Sequence, residues 1–230
     1  MKRFYKQVTV EAAEGGFAVK LDGRAIRTVG KRTQVVPTHA LAEAMAAEWA
    51  GQGEEIDPQA FLFRDMADYA IDVVAQDPAS VIGELLPYAE TDTLCYRAEP
   101  DEAFAARQRL MWEPLLADAE TRLGVRFVRV SGIMHKPQPP ETLARLKVEL
   151  EGLGAFQLAA LRNTASLAAS LVLGLATLRP DADIDALWDA ANLEEDWQAE
   201  LWGKDAEAME RREKRAAAFA AAARFAALAR

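Results

Sequence analysis

Four carboxylates, a glutamine and two tryptophans crowd into LEEDWQAELWG, Leu193 to Gly203. Acids at helical spacing can serve as general acid and base or hold a metal ion. Tryptophans beside fixed polar groups are, alternatively, the usual anchors of a protein interface. Partners for catalysis are hard to find elsewhere in the chain. Its two histidines, His39 and His135, have no nucleophile at a useful local spacing and read as surface residues. Cys95 lies between Leu94 and Tyr96 and reads as a small buried hydrophobe. A catalytic thiol there would need an activating cation, and Arg97 is the one close by in sequence. There is no P-loop, GxGxxG or HExxH pattern, and GLGAF at Gly152 is too short and lacks a preceding strand. A single cysteine excludes an intramolecular disulfide and a multi-cysteine zinc site. The expectation is no catalytic residue, no metal and no cofactor. The alternative is a small cytosolic hydrolase using paired carboxylates, which would need a defined separation across a cleft.

On one helix spanning Ile184–Trp202, advancing about 100° per residue, Ala190, Leu193, Trp197 and Leu201 share an apolar stripe. Trp197 is then a core anchor. Trp188, Glu195, Gln198 and Trp202 fall on a second face, with Ala191. That face reads as a partner-binding surface, with Glu194 beside it. Two structural alternatives stay open. The second face can pack under another helix with Glu195 paired to an arginine, or Trp202 can cover the helix end at Gly203.

The elements that must position these residues follow from periodicity and turn chemistry. The first 36 residues alternate like strands, and Asp22-Gly23 between apolar runs predicts a tight hairpin. Pro37 ends the sheet, and Thr38 caps a helix that buries Leu41, Met45 and Trp49. Helices are predicted over 65–74, 101–123, 141–152, 156–178, 184–202 and 205–229, with a short segment over 78–86. Thr93–Tyr96 and VRFVRV read as extended, and GIMHKPQPP as a connection. The expected class is α+β, with a β-rich domain carrying one helix over 1–58 and a mainly helical domain over 59–230.

Composition narrows the function classes. The chain has 230 residues, 51% apolar and 27% charged, with a net charge of −9. That balance argues against a general nucleic-acid binder, which needs clustered Lys and Arg. MKRFYKQVTV has no apolar core of a secretory signal, so a bacterial cytoplasmic protein is expected. Phe156–Leu178 is long enough to span a membrane, but Gln157, Arg162, Asn163, Thr164 and Ser166 make it a buried central helix instead. MERREKR reads as a solvated helix face.

Several stretches, in order, resemble the ATP synthase assembly chaperones specific for the α subunit of the catalytic head. RFYKQVTV and FAVKLDGRAIRT are similar to that family's opening strands, and VPTHALAEAMAAEWAGQGEEIDP to its first helix and acidic turn. YAETDTLCYRAE, RQRLMWEPLL and ANLEEDWQAELWGKDAEA resemble its central motif, next helix and C-terminal signature. The chain departs from the pattern at FLFRDM, Phe61–Met66, and at Asp118, where a second tryptophan is common. The resemblance implies a chaperone, not an enzyme. It would bind the unassembled α subunit and shield its β-facing surface until the β subunit replaces it. No nucleic-acid partner and no membrane insertion are expected, and the resemblance implies mitochondrial residence for eukaryotic members. Trp188, Glu194, Glu195, Gln198 and Trp202 are the favoured contact. Asp92, Tyr96 and Arg97 form a second candidate, with an Asp92–Arg97 pair bracing a junction as its alternative.

Overall fold

A computed structural model describes residues 1–132, 134–203 and 205–230. Ile133 and Lys204, inside the GIMHKPQPP and LWGKDAEA stretches, lie outside the described residues. The chain forms two compact units. The first comprises Met1–Pro78, Gly154–Ala160 and Ala221–Arg230.

In that unit, β1 (Val8–Ala13), β2 (Gly16–Leu21) and β3 (Arg24–Ala25) form an antiparallel sheet in chain order. Val8 stands opposite Leu21 and Ala13 opposite Gly16. Asp22 and Gly23 make the expected two-residue turn, with φ of 47° and 77°. The Asp22 carboxylate accepts from the Gln7 and Lys6 amides at 2.8 and 3.0 Å, which holds its pKa below the usual carboxylate range. A side chain at Gly16 would put its Cβ 2.2 Å from the Val36 carbonyl, so only glycine lets these two backbones meet.

Helix α1 (His39–Ala50) packs on β1 and β2 and buries Leu41, Met45 and Trp49, as expected. Thr38 Oγ1 accepts from the Leu41 amide at 3.1 Å, and the same hydroxyl donates to the Leu228 carbonyl. Thr38→Ala should therefore lower the unfolding free energy by about 1–2 kcal/mol, read as a shifted urea midpoint at unchanged slope. Helix α2 (Leu62–Tyr69) starts earlier than the periodicity predicts. The Glu48 carboxylate supplies the reason, accepting from the Phe63 and Arg64 amides at 2.6 and 2.9 Å. Burial pushes the Glu48 pKa up. After Tyr69 the helix widens over Ala70–Val74, closing with Ala75 N–H on the Ala70 carbonyl at 2.9 Å.

The first unit runs past residue 58 because its core recruits later helices. Phe225, near the end of α11 (Ala206–Leu228), packs at 6.0 Å on Phe63 and on Phe156, which lies at the start of α7 (Ala155–Ala168). The C-terminal Ala-rich helix therefore packs on its own chain.

The second unit, Ala79–Leu153 and Leu161–Ala220, is helical apart from β4 (Tyr96–Arg97) and β5 (Val130–Ser131), which pair in parallel. It holds α3 (Pro78–Leu85) from its second residue, α4 (Pro87–Glu90), α5 (Ala103–Leu123), α6 (Pro140–Glu151), α8 (Leu171–Thr177), α9 (Ile184–Ala191) and α10 (Leu193–Trp202). Trp112 of α5 is fully buried and donates from Nε1 to the Ala190 carbonyl at 2.8 Å, seating the end of α9. Arg129 bridges Glu113 and Glu120, while Arg97 also reaches Glu113, so the β4–β5 pair is tied to α5 by charge. The overall class is α+β, as the sequence indicates.

Three further expected elements change. The helix over 156–178 is two helices, because Ala169 turns left-handed at φ 47° and Ser170 Oγ caps α8 through the Leu173 amide at 3.0 Å. The helix over 184–202 is also two, broken at Asn192. Thr93–Cys95 is a helical turn, and only Tyr96–Arg97 is extended. Among the described residues, no helix is long and apolar enough to cross a membrane.

Candidate partner-binding site

Asn192 decides the geometry of the acidic, tryptophan-rich segment. Its φ of −108° ends α9, and its backbone and side-chain N–H groups both donate to the Trp188 carbonyl, at 3.1 and 2.8 Å. Helix α10 then begins afresh, with Glu194, Glu195 and Asp196 in its first turn, where acids complement the helix dipole. The two helices do not share one wheel, so the second face expected from sequence is not one surface.

Trp188 is 7% exposed and packs on Phe219 at 5.3 Å, so it is a core residue and not a contact. Trp202, at the last position of α10, is 78% exposed. Trp197 is half-buried, stacked on Phe104 at 5.6 Å with Arg107 above it at 5.5 Å; the core-anchor reading overstates its burial. Leu201, expected on the apolar ridge, is 57% exposed. Glu195 is exposed and pairs with Arg215 at 3.2 Å. Glu194 and Gln198 are exposed and lie within 3.4 Å of each other.

Glu195, Gln198 and Trp202 line one open crevice of about 790 Å³ between α10, the start of α11 and one face of α5. Sequence reasoning missed its other walls: Arg107, Met111, Met209 and Arg212. MERREKR is accordingly more than a solvated face. Arg212 pairs with Asp196 at 2.7 Å, and Arg107 grips Glu200 through two bonds of 2.5 and 2.8 Å. Burial raises the Asp196 pKa against the pull of Arg212. A second crevice of about 370 Å³, floored by Leu115, Val172, Leu173 and Leu187, shares Met111 and Asp189 with the first. Asp118 stands in its wall, paired to Arg122 and Arg179, each at 2.9 Å.

The central motif serves structure. Asp92 is fully buried, its two oxygens accepting from the Leu94 and Val172 amides, both at 3.0 Å. It holds a turn to the start of α8 and cannot touch a partner. Nor does it brace Arg97, whose guanidinium goes to the Leu94 carbonyl at 2.8 Å and to Glu113 at 3.2 Å. Burial lowers the Arg97 pKa, with Glu113 opposing. Tyr96 is half-buried, its hydroxyl 3.0 Å from Nδ1 of the exposed His135. His39 is exposed as well, beside Glu43 at 3.5 Å. Cys95 is buried, and burial pushes its thiol far up, away from a reactive thiolate.

Residues 2–120 match the family described as ATP12 chaperone protein. The chain belongs to the ATP12 chaperone family. Its resemblance to the mitochondrial protein atp12 of Schizosaccharomyces pombe is 25% identity over 215 residues, 88% of this chain and 74% of that one. The crystal structure of Atp12 from Paracoccus denitrificans superposes with a TM-score of 0.93 at 39% identity, over 100% of this chain and 98% of that one. A protein of Agrobacterium tumefaciens gives a TM-score of 0.94 at 40% identity, over 100% and 86%. In this ATP12-family chain, the carboxylates with raised pKa are already engaged. Glu48 and Asp92 accept from backbone amides, Asp68 from Gln34 and the Val29 amide, and Asp196 pairs with Arg212.

Proposed function

We propose that the chain is an assembly chaperone of the F-type ATP synthase. It holds the unassembled α subunit of the catalytic head through the α10–α11 crevice and releases it when the β subunit arrives. The observation that carries this reading is the exposed Trp202, with the 42% exposed Met209, at an open crevice of a chain in a chaperone family. An unassembled subunit displays apolar interface that aggregates unless covered, and an aromatic anchor within a charged rim is suited to cover it. A crevice that is open and bordered by ion pairs permits displacement, because exposed pairs are easily exchanged for a partner's charges. Residence in a bacterial cytoplasm fits relatives in Paracoccus and Agrobacterium.

The test uses purified α subunit diluted from denaturant, with light scattering as the readout. The chaperone should suppress scattering at equimolar ratio, and added β subunit should then displace it. Glu195→Lys should weaken retention of the α subunit at least about tenfold through charge reversal at the crevice. Its own stability should change by about 1 kcal/mol or less, because the Glu195–Arg215 pair is exposed. Arg215 stays anchored by the Leu167 carbonyl at 3.1 Å and the Trp188 ring at 5.5 Å. Unchanged retention by Glu195→Lys would sink the crevice as the contact, whereas failure to retain α subunit at all would sink the chaperone reading.

A further inference from the structure

Helix α10 buries one of its ten residues, Leu193, at its first position. The shorter α9 buries three of eight, Leu187, Trp188 and Ala190. A surface helix is normally held by an apolar face, and an isolated helix shorter than about 12 residues is marginal in water. Beyond Leu193, something other than a core must keep α10 in place. Among the described residues, three ion pairs do so. Arg107 of α5 takes Glu200 through bonds of 2.5 and 2.8 Å. From α11, Arg212 takes Asp196 at 2.7 Å and Arg215 takes Glu195 at 3.2 Å. Trp197, half-buried and stacked on Phe104 at 5.6 Å, adds an aromatic tie.

Both ends of α10 allow it to part from its neighbours. The buried Asn192 closes on the Trp188 carbonyl, so the end of α9 is finished without any contribution from α10. Gly203 follows at φ 92° and ψ 165°, a region that glycine alone enters freely, and a Cβ there would meet nothing within 4 Å. The ties between these ends are weak in kind. The six side chains of the three pairs are each between 31% and 56% exposed. Pairs so open to water contribute little each and are screened by salt. By contrast, α5 and α9 are joined through the buried Trp112, which salt does not reach.

We propose that α10 is a charge-latched helix, which opens from α5 and α11 as one unit and melts as it leaves, while α5 and α9 stay folded. Glu195, Gln198, Ala199 and Trp202 all belong to α10, so the crevice exists only while the latch is closed. Opening dissolves the contact surface. Charges on an arriving partner that compete for Glu195, Asp196 and Glu200 open it. Release of a held subunit is then local unfolding of the site itself. That consequence rests on the α10–α11 crevice being the contact, whereas the opening of α10 does not.

The test is amide hydrogen exchange of the whole chain, read by 1H–15N NMR at residues 197–202 of α10, with residues 112–120 of α5 and 188–191 of α9 as controls. Raising NaCl from about 0.05 M to about 0.5 M should speed exchange in α10 at least about fivefold, because three partly exposed pairs are screened together. The controls should move by less than about twofold, since packing holds them. At low salt, Glu200→Arg and Arg107→Glu should each speed α10 at least about tenfold by setting like charges face to face. The double swap Arg107→Glu/Glu200→Arg should restore most of the protection, which a loss of packing alone would not do. Retention of the α subunit should fall and recover with the same three variants. An equal salt response of α10 and the controls, or a swap no better protected than the single changes, overturns the latch. Retention that persists while α10 is open overturns the release step. The salt series uses the unaltered chain and stands even where a variant folds poorly. Absence of retention by the unaltered chain counts against the chaperone reading alone, because exchange is read without the α subunit.

Discussion

Trp202→Ala should weaken binding of the α subunit about thirtyfold or more, the loss of roughly 2 kcal/mol typical of a central interface tryptophan. The same change should move the unfolding free energy by no more than about 0.5 kcal/mol, because an exposed side chain leaves little packing behind. The physical basis is the placement of the ring. Trp202 is 78% exposed at the end of α10, where Gly203 leaves the helix at φ 92°. Met209, also exposed, lines the same crevice. A large aromatic side chain held in water contributes nothing to folding and gains on the order of 2 kcal/mol when a partner buries it. Trp188→Ala makes the control. It should cost about 3–5 kcal/mol of stability, as a buried Trp→Ala change does, and alter binding only through that loss. Isothermal calorimetry against purified α subunit, alongside urea melts, separates the two. Trp202→Ala with unimpaired binding would remove the α10–α11 crevice from the proposal.

How much of this was legible in the sequence depends on which interactions are local. The Asp22-Gly23 turn, the Thr38 cap and the apolar positions of α1 are set within a few residues and read directly. The break at Asn192 is local too, and two signals mark it. Asparagine is a common helix terminator, and three successive acids after it mark a helix start. A continuous apolar periodicity masked both, and treating 184–202 as one helix put the buried Trp188 beside the exposed Trp202. Ser170 was masked in the same way by the aliphatic run around it. Other features had no local signal at all. The cap of α2 comes from Glu48 on another helix, and the pairing of MERREKR with the acids of α10 joins residues sixteen apart in the chain. The first unit extends beyond residue 58 for the same reason, since Phe156 and Phe225 join its core from far along the chain.

Asp92 provides the second large effect, on stability rather than binding. Asp92→Ala should cost about 2–4 kcal/mol, since it strands the Leu94 and Val172 amides in a dry interior. Asp92→Asn carries the sharper prediction, because it removes the titration while keeping the shape. Complete burial raises the Asp92 pKa from 3.8 to about 6, even though the Val172, Ser170 and Leu94 bonds pull the other way. Between those values the folded chain holds a proton that the unfolded chain has released, so stability contributed by this group falls as pH rises. The loss is complete above about pH 6 and amounts to roughly 2–3 kcal/mol, at about 1.4 kcal/mol per pKa unit. Carboxylates held low, such as Asp22 and Glu120, tilt the wild-type curve the opposite way. Only the difference between wild type and Asp92→Asn isolates the group. That difference should shift in favour of the asparagine variant as urea midpoints are taken from pH 4 to pH 7, and a difference independent of pH would show that Asp92 titrates normally. Any folded Asp92 variant should retain the α subunit like wild type, because a fully buried carboxylate can reach a partner only by way of the turn and helix it holds together.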